Sequence, residues 1–500
     1  MAERPRTLRS PARASDRTVR RLIGAAVPFM VGLAGLTPLH PSRAVIRTAA
    51  VTYAIVVAAL LVEAIMAAGN RRVGWIMLLT AHAFWFAMPA CMQSLVPDLW
   101  FGDWIGMNID EKYLALAAAL IGLFLLCGAA AYWLTSMMGK LPTPTRRSPV
   151  PRRNDVLLIA LLLFGLFPYL EYAASGGGAG MLTLMLMGRA DKPWRYETFY
   201  AGASTNTVFW ISQASLVAAG SLGILGALFA RGRMRRSLNA LVAVLAIAIV
   251  FLDQGTRSLT AMLVMPAGLV WMFVSPSRVV RKAVWAGPLL GFVLLAATQL
   301  QFYLRTDHDR AQLREKSIAE VLAPRQHNDF FTETALAASI VPEERDYIEE
   351  SPEWIILTNI VPRSLWEGKP VPQTFWVYSF YRWGRDVFVT GGNAIPSVVG
   401  QYYMNWGWAG VVWAGMLFGA SFAWLDRLAM RSHGNPYLLL VPFTWMVFLF
   451  VAFRYLGPGF HYSAVLLSFI WLVARRPPRS VAVCRHRVPP LRAHAVTRAA

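Results

Sequence analysis

Cysteine and charged residues are both scarce in this sequence. The 500 residues include three cysteines, and Asp, Glu, Lys and Arg together make up 15% of the chain. Cys91 and Cys127 lie in long apolar runs and Cys484 lies in a basic tail, so the sequence offers no disulfide framework and no Cys-x-x-Cys metal site. A content of 56% hydrophobic residues with so few charges excludes an ordinary soluble globular protein. These properties indicate a membrane protein.

Apolar runs long enough to cross a bilayer recur along the chain. A helix needs roughly 20 such residues to cross the hydrocarbon core. We therefore predict an all-α polytopic membrane protein with about twelve transmembrane helices. The predicted spans are residues 22–39, 48–68, 73–95, 113–136, 155–173, 206–230, 238–253, 258–275, 283–303, 397–425, 436–453 and 457–474. Pro28 and Pro38 interrupt the first, so eleven spans with the amino terminus outside is the alternative.

The net charge of +21 comes from short basic clusters beside the apolar runs. The clusters are Arg4 to Arg21, Arg71-Arg72, Lys140 to Arg153, Arg231 to Arg236, Arg278 to Lys282, Arg427 to Arg431 and Arg475 to Arg498. An even number of predicted spans separates each cluster from the next, so all of them fall on one side, which the positive-inside rule makes the cytoplasm. This distribution predicts two cytoplasmic termini and no nucleic-acid partner.

One long hydrophilic segment, residues 304–396, is expected outside the membrane. It carries 14 of the chain's 27 acidic residues beside 10 basic ones. With basic tails at 1–21 and 475–500, the chain then divides into helices at 22–303, this periplasmic loop, and three final helices at 397–474. A loop of this length is usually a binding lid or an active-site element, so function is expected there.

The run from Ile360 to Pro370 in this loop combines two cations, a tryptophan and two prolines. Arg363 and Lys369 suit the binding of a diphosphate or an acidic sugar. The alternative is a solvated loop with incidental ion pairs.

Two further arginines lie at the predicted outer boundary of the membrane. Arg257 follows Asp253 in a tight turn between two apolar runs, where a charge is costly unless it is paired or used. This position favours a functional role for Arg257. Arg454 ends another span, where it either belongs to a site or extends to the surface as an anchor.

Residues 391–410 open a predicted helix with glycines, amides and tyrosines. Gln401 and Asn405 lie four residues apart, so they share a helical face and can line a cavity. Glycines such as Gly407 either let a polar substrate approach the backbone or seat neighbouring helices. The triplet Asp307-His308-Asp309 is a weak ligand set, so we predict neither a metal nor another cofactor.

Together these motifs resemble one family. They are Ser175-Gly-Gly-Gly with Arg189, Gly255-Thr-Arg257, Pro362-Arg363 with Lys369-Pro370, Gly391-Gly392, and Gly400-Gln-Tyr with Asn405 and Gly407. The pattern resembles the oligosaccharide repeat-unit polymerases, the Wzy-type O-antigen or exopolysaccharide polymerases. Their hydropathy is similar too, with many spans and one large periplasmic loop near the carboxyl end.

The resemblance implies a GT-C-like glycosyltransferase of the bacterial inner membrane that uses no nucleotide sugar. Its substrate would be an undecaprenyl-diphosphate-linked oligosaccharide, with membrane lipids and a chain-length regulator as further partners. It implies catalytic roles for Arg257, Arg363 and Lys369, and substrate-binding roles for Arg189, Gln401, Tyr402, Asn405 and Arg454. Guanidinium groups would offset the charge that develops on the leaving diphosphate.

One position departs from that family. Gly-Glu-Tyr is common there, whereas this chain has Gln401 between Gly400 and Tyr402. An amide cannot act as a general base, so the position either binds sugar or the base lies elsewhere. The candidates are Asp253, Glu349, Glu350 and Glu367.

Two other functions compete with polymerisation. An O-antigen ligase-like enzyme uses the same lipid donor, but that family usually relies on a loop histidine, and His308 and His327 lie outside the motif-bearing stretch from Arg363 to Gly400. A flippase or transporter explains twelve spans equally well. Transporters tend to show two similar halves and helices broken at the midplane, whereas this chain is lopsided toward one late outer loop.

Overall fold

The computed structural model describes residues 42–66, 72–95, 101, 108–138, 154–181, 205–230, 232–254, 257–274, 329–359, 361, 366, 368, 370, 373–384, 394–432, 435–456 and 461–474. These parts of the chain are helical and contain no strand. The helices are α1 (Arg43–Met66), α2 (Val73–Leu95), α3 (Glu111–Met137), α4 (Asn154–Tyr172), α5 (Thr205–Phe229), α6 (Arg233–Gln254), α7 (Arg257–Val274), α8 (Phe330–Ile340), α9 (Pro352–Asn359), α10 (Gln373–Trp383), α11 (Ser397–Arg431), α12 (Pro436–Ala452) and α13 (His461–Ala474).

Within the described residues, seven helices are long and apolar enough to cross a membrane, namely α1 to α6 and α11. Helices α7, α12 and α13 contain shorter apolar stretches. The protein is therefore an all-helical, membrane-embedded protein, as the apolar runs predicted. Every predicted span that falls within the described residues coincides with a helix, and the predicted spans 22–39 and 283–303 lie outside them. The total of twelve spans stays a prediction.

Polar contacts join helix ends at one end of the helix bundle. This end is here called the Arg72 end, after the residue that precedes α2. The Arg235 guanidinium lies 3.3 Å from the Asp155 carboxylate, which links the starts of α6 and α4. Arg427 donates a hydrogen bond to the carbonyl of Thr135, which links the end of α11 to the end of α3. The basic clusters predict that these four helix ends lie on one side of the membrane. The starts of α4 and α6 contact each other, and so do the ends of α3 and α11.

The opposite end, here called the Glu111 end, has its own contacts. The Arg43 guanidinium lies 3.1 Å from the Glu111 carboxylate at the starts of α1 and α3. Arg454 donates a hydrogen bond of 3.2 Å to the Ser258 hydroxyl, which links the residues after α12 to the start of α7. The candidate functional residues predicted from the sequence lie at this end wherever the structure describes them.

Helices α3 and α11 pack closely in the bundle interior because small residues face each other. A Cβ atom added at Gly419 would lie 2.0 Å from the carbonyl oxygen of Gly128. Only glycine allows two backbones to approach in this way, as is usual where helices pack in membranes. The contact fixes α11 against α3, and α11 carries the residues of the candidate site.

Helix α8 comes from the segment 304–396 and is inserted into the core. Ten of its 11 residues are buried. Asp329 caps its amino terminus, because the side chain accepts a hydrogen bond from the Thr332 amide, and Gln93 of α2 donates to the same carboxylate. Part of the segment predicted as an outer loop is therefore a buried helix that belongs to the core of the bundle.

Candidate functional site

Helix α11 is broken at Trp406 and Gly407, here called the break. Gly407 has φ 60° and ψ −144°, a backbone conformation that is essentially restricted to glycine. Residues 408–426, which precede the basic residues Arg427 and Arg431, extend about 29 Å at 1.5 Å per residue, which matches a hydrocarbon core of about 30 Å. The break therefore lies at the end of a full-length span, and residues 397–405 form a short helical segment beyond it.

The segment 343–353, here called the acidic segment, docks on the break. The amides of Ile348 and Glu349 donate hydrogen bonds of 3.0 and 3.3 Å to the carbonyls of Met404 and Asn405. Carbonyl groups beside a helix end need such partners from outside the helix. Tyr347 covers Gly407, where an added Cβ would lie 3.0 Å from its hydroxyl. The acidic segment thus fixes the break in place.

Glu353 joins the two sides of the break. The Tyr402 hydroxyl, before the break, donates to Oε1 of Glu353 at 2.6 Å, and the Trp413 indole, after it, donates to the same oxygen at 2.8 Å. The Ser351 hydroxyl donates to Oε2 at 3.0 Å. Tyr402, a predicted substrate-binding residue, is therefore oriented by a carboxylate that holds both halves of α11.

Glu350 caps helix α10. Its Oε1 accepts a hydrogen bond of 2.8 Å from the Gln373 amide, and its Oε2 accepts from the Thr374 amide at 3.2 Å and from the Thr374 hydroxyl at 2.6 Å. Amides in the first turn of a helix have no partner within it, and the helix dipole favours an anion there. The carboxylate of Glu350 thus has a structural role at the start of α10.

Asn405 is buried with one polar atom left over. Its Oδ1 lies 2.8 Å from the Thr374 hydroxyl, and its Nδ2 has no partner among the described residues. Thr374 has one hydroxyl proton and cannot donate to both Glu350 and Asn405. In the opposite orientation of the amide, Nδ2 donates to Thr374, and Oδ1 is the atom left without a partner. In both orientations a buried amide atom of Asn405 has no partner among the described residues.

A second carboxylate holds the far end of α10. Tyr378 donates a hydrogen bond to the Glu333 carboxylate, and the Arg382 guanidinium lies 3.4 Å from it. Glu333 belongs to α8, which is too short to cross a membrane. Burial raises the pKa of Glu333 to about 7, although the positive charge of Arg382 opposes the shift. Helix α10 is thus held by Glu350 at its start and by Glu333 toward its end.

Gln401, predicted to bind substrate, is engaged by the backbone of another segment. The Leu456 amide donates to Oε1 of Gln401 at 3.0 Å, and Nε2 of Gln401 donates to the Leu456 carbonyl at 3.3 Å. Both ends of its amide are therefore occupied, and the role of Gln401 toward substrate stays a prediction.

Arg454 lies among aromatic rings near the start of α7. Its guanidinium carbon is 5.5 Å from the centre of the Trp85 ring and 5.8 Å from that of Phe330, within cation–π range. It also donates a hydrogen bond to the Ser258 hydroxyl. Arg257 is the first residue of α7, and Ser258 is the second. The structure therefore brings Arg454 next to the start of the helix that Arg257 begins.

Several predicted residues lie outside the described residues, namely Arg189, Arg363, Lys369 and Glu367. Of the other candidate bases, Asp253 is 1% exposed at the end of α6. The structure brings together Tyr402 and Asn405 with the acidic segment, and it brings Arg454 to the start of α7.

Sequence reasoning missed Glu353, Thr374 and Trp413. Residues 343–353 are rich in carboxylates, which is a signal for the region. The sequence does not indicate which of these carboxylates contacts α11. Glu353 lies 49 residues from Tyr402 and 60 from Trp413 along the chain. Contacts of that separation leave no periodic pattern in a single sequence.

The site offers carboxylate oxygens, an amide and aromatic rings at the end of a membrane helix. Such groups suit a ligand rich in hydroxyls, because carboxylates and amides accept hydroxyl protons and rings provide an apolar face. Within the described residues, no group of three or more His, Cys, Asp or Glu could hold a metal ion. In comparisons with protein-family models, curated proteins and solved structures, nothing matches this chain.

Proposed function

We propose that this protein polymerises undecaprenyl-diphosphate-linked oligosaccharide repeat units into O-antigen or exopolysaccharide. The reaction takes place at the periplasmic face of the bacterial inner membrane, in a GT-C-like bundle of about twelve spans with both termini in the cytoplasm. The position of the break carries this proposal. It lies at the end of an apolar span of about 29 Å, and the proposal puts this end at the depth where the diphosphate of a lipid-linked substrate meets the hydrocarbon core.

The proposed reaction divides the substrate between two sets of residues. Arg257 begins α7, and Arg454 contacts Ser258 next to it. These two arginines hold the diphosphate, and the resemblance assigns the same role to Arg189 and Arg363. Guanidinium groups stabilise the charge that develops on the diphosphate as the glycosidic bond breaks. The acceptor sugar binds beside the break and the acidic segment. A chain-length regulator is a further proposed partner.

A flippase is the second candidate, because broken helices are typical of transporters. In transporters the break lies near the bilayer midplane, where the substrate crosses. The break in α11 instead leaves residues 408–426 long enough to span the membrane alone. This placement favours an enzyme that acts at the membrane surface.

Deletion of the gene tests the proposal. We expect cells without it to accumulate single lipid-linked repeat units on the periplasmic side and to make no long polymer, and a plasmid copy to restore the polymer. Repeat units that stay on the cytoplasmic side would instead indicate a flippase. Long polymer that stays on its lipid carrier would indicate a ligase-like enzyme.

A further inference from the structure

Three carboxylates of the acidic segment lie at the break, and two of them are already committed. Glu350 accepts three hydrogen bonds at the start of α10, and Glu353 accepts three from Tyr402, Trp413 and Ser351. Three of the roughly four lone-pair sites of each carboxylate are thus occupied by protein donors. Both therefore position neighbouring groups.

Glu349 differs from these two carboxylates. Its side chain is exposed and has no partner among the residues the structure describes. Its backbone adopts φ 56°, a left-handed conformation that is uncommon for residues other than glycine. Its amide donates to the carbonyl of Asn405, so the residue is held directly against the break.

The buried amide of Asn405 gives a second, independent indication of a ligand. Asn405 is 0% exposed, and one atom of its side-chain amide lacks a partner among the described residues. A buried polar atom without a partner is rare, and a hydroxyl group of a bound sugar can both donate and accept. The side chain that needs a ligand thus belongs to the residue whose carbonyl anchors Glu349.

We propose that Glu349 is the general base of glycosyl transfer, which rests on the function proposed above. The oxygen of an acceptor-sugar hydroxyl attacks the anomeric carbon of the donor, and its proton passes to the Glu349 carboxylate. The bond between the anomeric carbon and the diphosphate breaks, and the diphosphate leaves with the electron pair. Glu349 then returns the proton to water. Asn405 binds a hydroxyl of the sugar and positions it.

The other candidate bases fit this role less well. Asp253 is 1% exposed within the bundle at the end of α6, Glu350 caps α10, and Glu367 lies outside the described residues. Glu344 is exposed on the same acidic segment, but its backbone amide bonds to Ile340 at the end of α8 and not to α11. Glu344 is therefore a matched control for Glu349.

The test uses the full-length protein in lipid nanodiscs. The probe is the lipid-linked oligosaccharide fraction extracted from cells that lack the gene, and polymer length is followed on gels. We expect Glu349→Gln and Glu349→Gly to lower the rate at least about 100-fold, the usual contribution of a general base. Glu344→Gln should polymerise at the wild-type rate.

Stability separates a catalytic from a structural role. Glycine adopts φ 56° without strain, so Glu349→Gly should melt at or above the wild-type temperature while it loses activity. A Glu349→Gly protein that polymerises at the wild-type rate would overturn the assignment, and so would a loss of activity that accompanies a lower melting temperature. A wild-type protein that makes no polymer from this fraction would instead overturn the proposed function itself.

Discussion

Asp426 and Asn405, two buried polar side chains at opposite ends of the bundle, differ in whether the protein itself satisfies their polar groups. At the Arg72 end, Asp426 accepts a hydrogen bond of 2.8 Å from the Gly74 amide and one of 2.6 Å from the Tyr132 hydroxyl. At the Glu111 end, the break leaves an amide atom of Asn405 without a partner among the described residues, and it leaves Glu349 exposed. A carboxylate whose donors are all protein groups serves the fold, whereas open polar groups serve a ligand.

The Asp426 region illustrates the structural case. The carboxylate caps the first turn of α2 from a position 352 residues away in the chain. An added Cβ at Gly74 would lie 2.8 Å from the Asp426 carboxylate and 2.5 Å from the Phe422 carbonyl, so the two helices leave no space for a ligand. The close packing and the donors on both carboxylate oxygens together indicate a structural role for Asp426.

Removal of the Asp426 carboxylate should have the largest effect on stability. Asp426→Ala leaves the Gly74 amide buried without its acceptor and leaves the Tyr132 hydroxyl with Ser136 alone, so we expect a loss of about 2–4 kcal/mol. Asp426→Asn keeps one oxygen for Gly74 and should lose less. Thermal unfolding in detergent measures both. An unchanged melting temperature in Asp426→Ala would contradict a structural role for this carboxylate.

The Glu333 carboxylate should make stability depend on pH. Its folded-state pKa of about 7 lies above the unfolded value of about 4.5, so the folded state binds more protons between these values. The contribution is fully present below about pH 4.5 and is lost as pH rises through 7, which amounts to about 3 kcal/mol. Glu333→Gln should remove this decline, as seen in unfolding measurements across that range.

A matched carboxylate controls for general effects of pH. Glu343 is exposed, and hydrogen bonds from the Tyr113 hydroxyl and the Lys112 ammonium lower its pKa. Glu343→Gln should therefore leave the decline of stability with rising pH in place. Equal slopes in wild type and Glu333→Gln would contradict the role of Glu333.

Two glycines should respond oppositely to alanine. Gly407→Ala places a Cβ on a backbone that glycine alone adopts readily and next to Tyr347, so we expect a loss of about 1–3 kcal/mol. Gly268 lies within α7 with nothing within 4 Å of an added Cβ, and Gly268→Ala should gain about 0.5–1 kcal/mol. Melting temperatures that move in the same direction would show that the break is not held as described.

The sequence predicted the helices well because each apolar run is a local signal. Each predicted span in the described residues coincides with a helix, and the break lies within the glycine-rich motif at 391–410. The partners of that motif were not predictable, since Thr374 and Asn405 lie 31 residues apart. Gln401 shares a predicted helix face with Asn405, yet the residues after α12 engage its amide. Packing between segments that are distant in the sequence decides which polar side chain is left without a hydrogen-bond partner.

The most direct test of a site at the Glu111 end compares two arginines. Arg257 begins α7 at that end, and Arg235 pairs with Asp155 at the Arg72 end. With lipid-linked repeat units as substrate, we expect Arg257→Ala to lower the rate of polymerisation about a hundredfold or more at a normal protein level, because a charge-assisted contact of about 2–4 kcal/mol is lost. Arg257→Lys should recover part of the rate, and Arg235→Ala should match wild type. Polymerisation by Arg257→Ala at the wild-type rate would contradict this location of the active site.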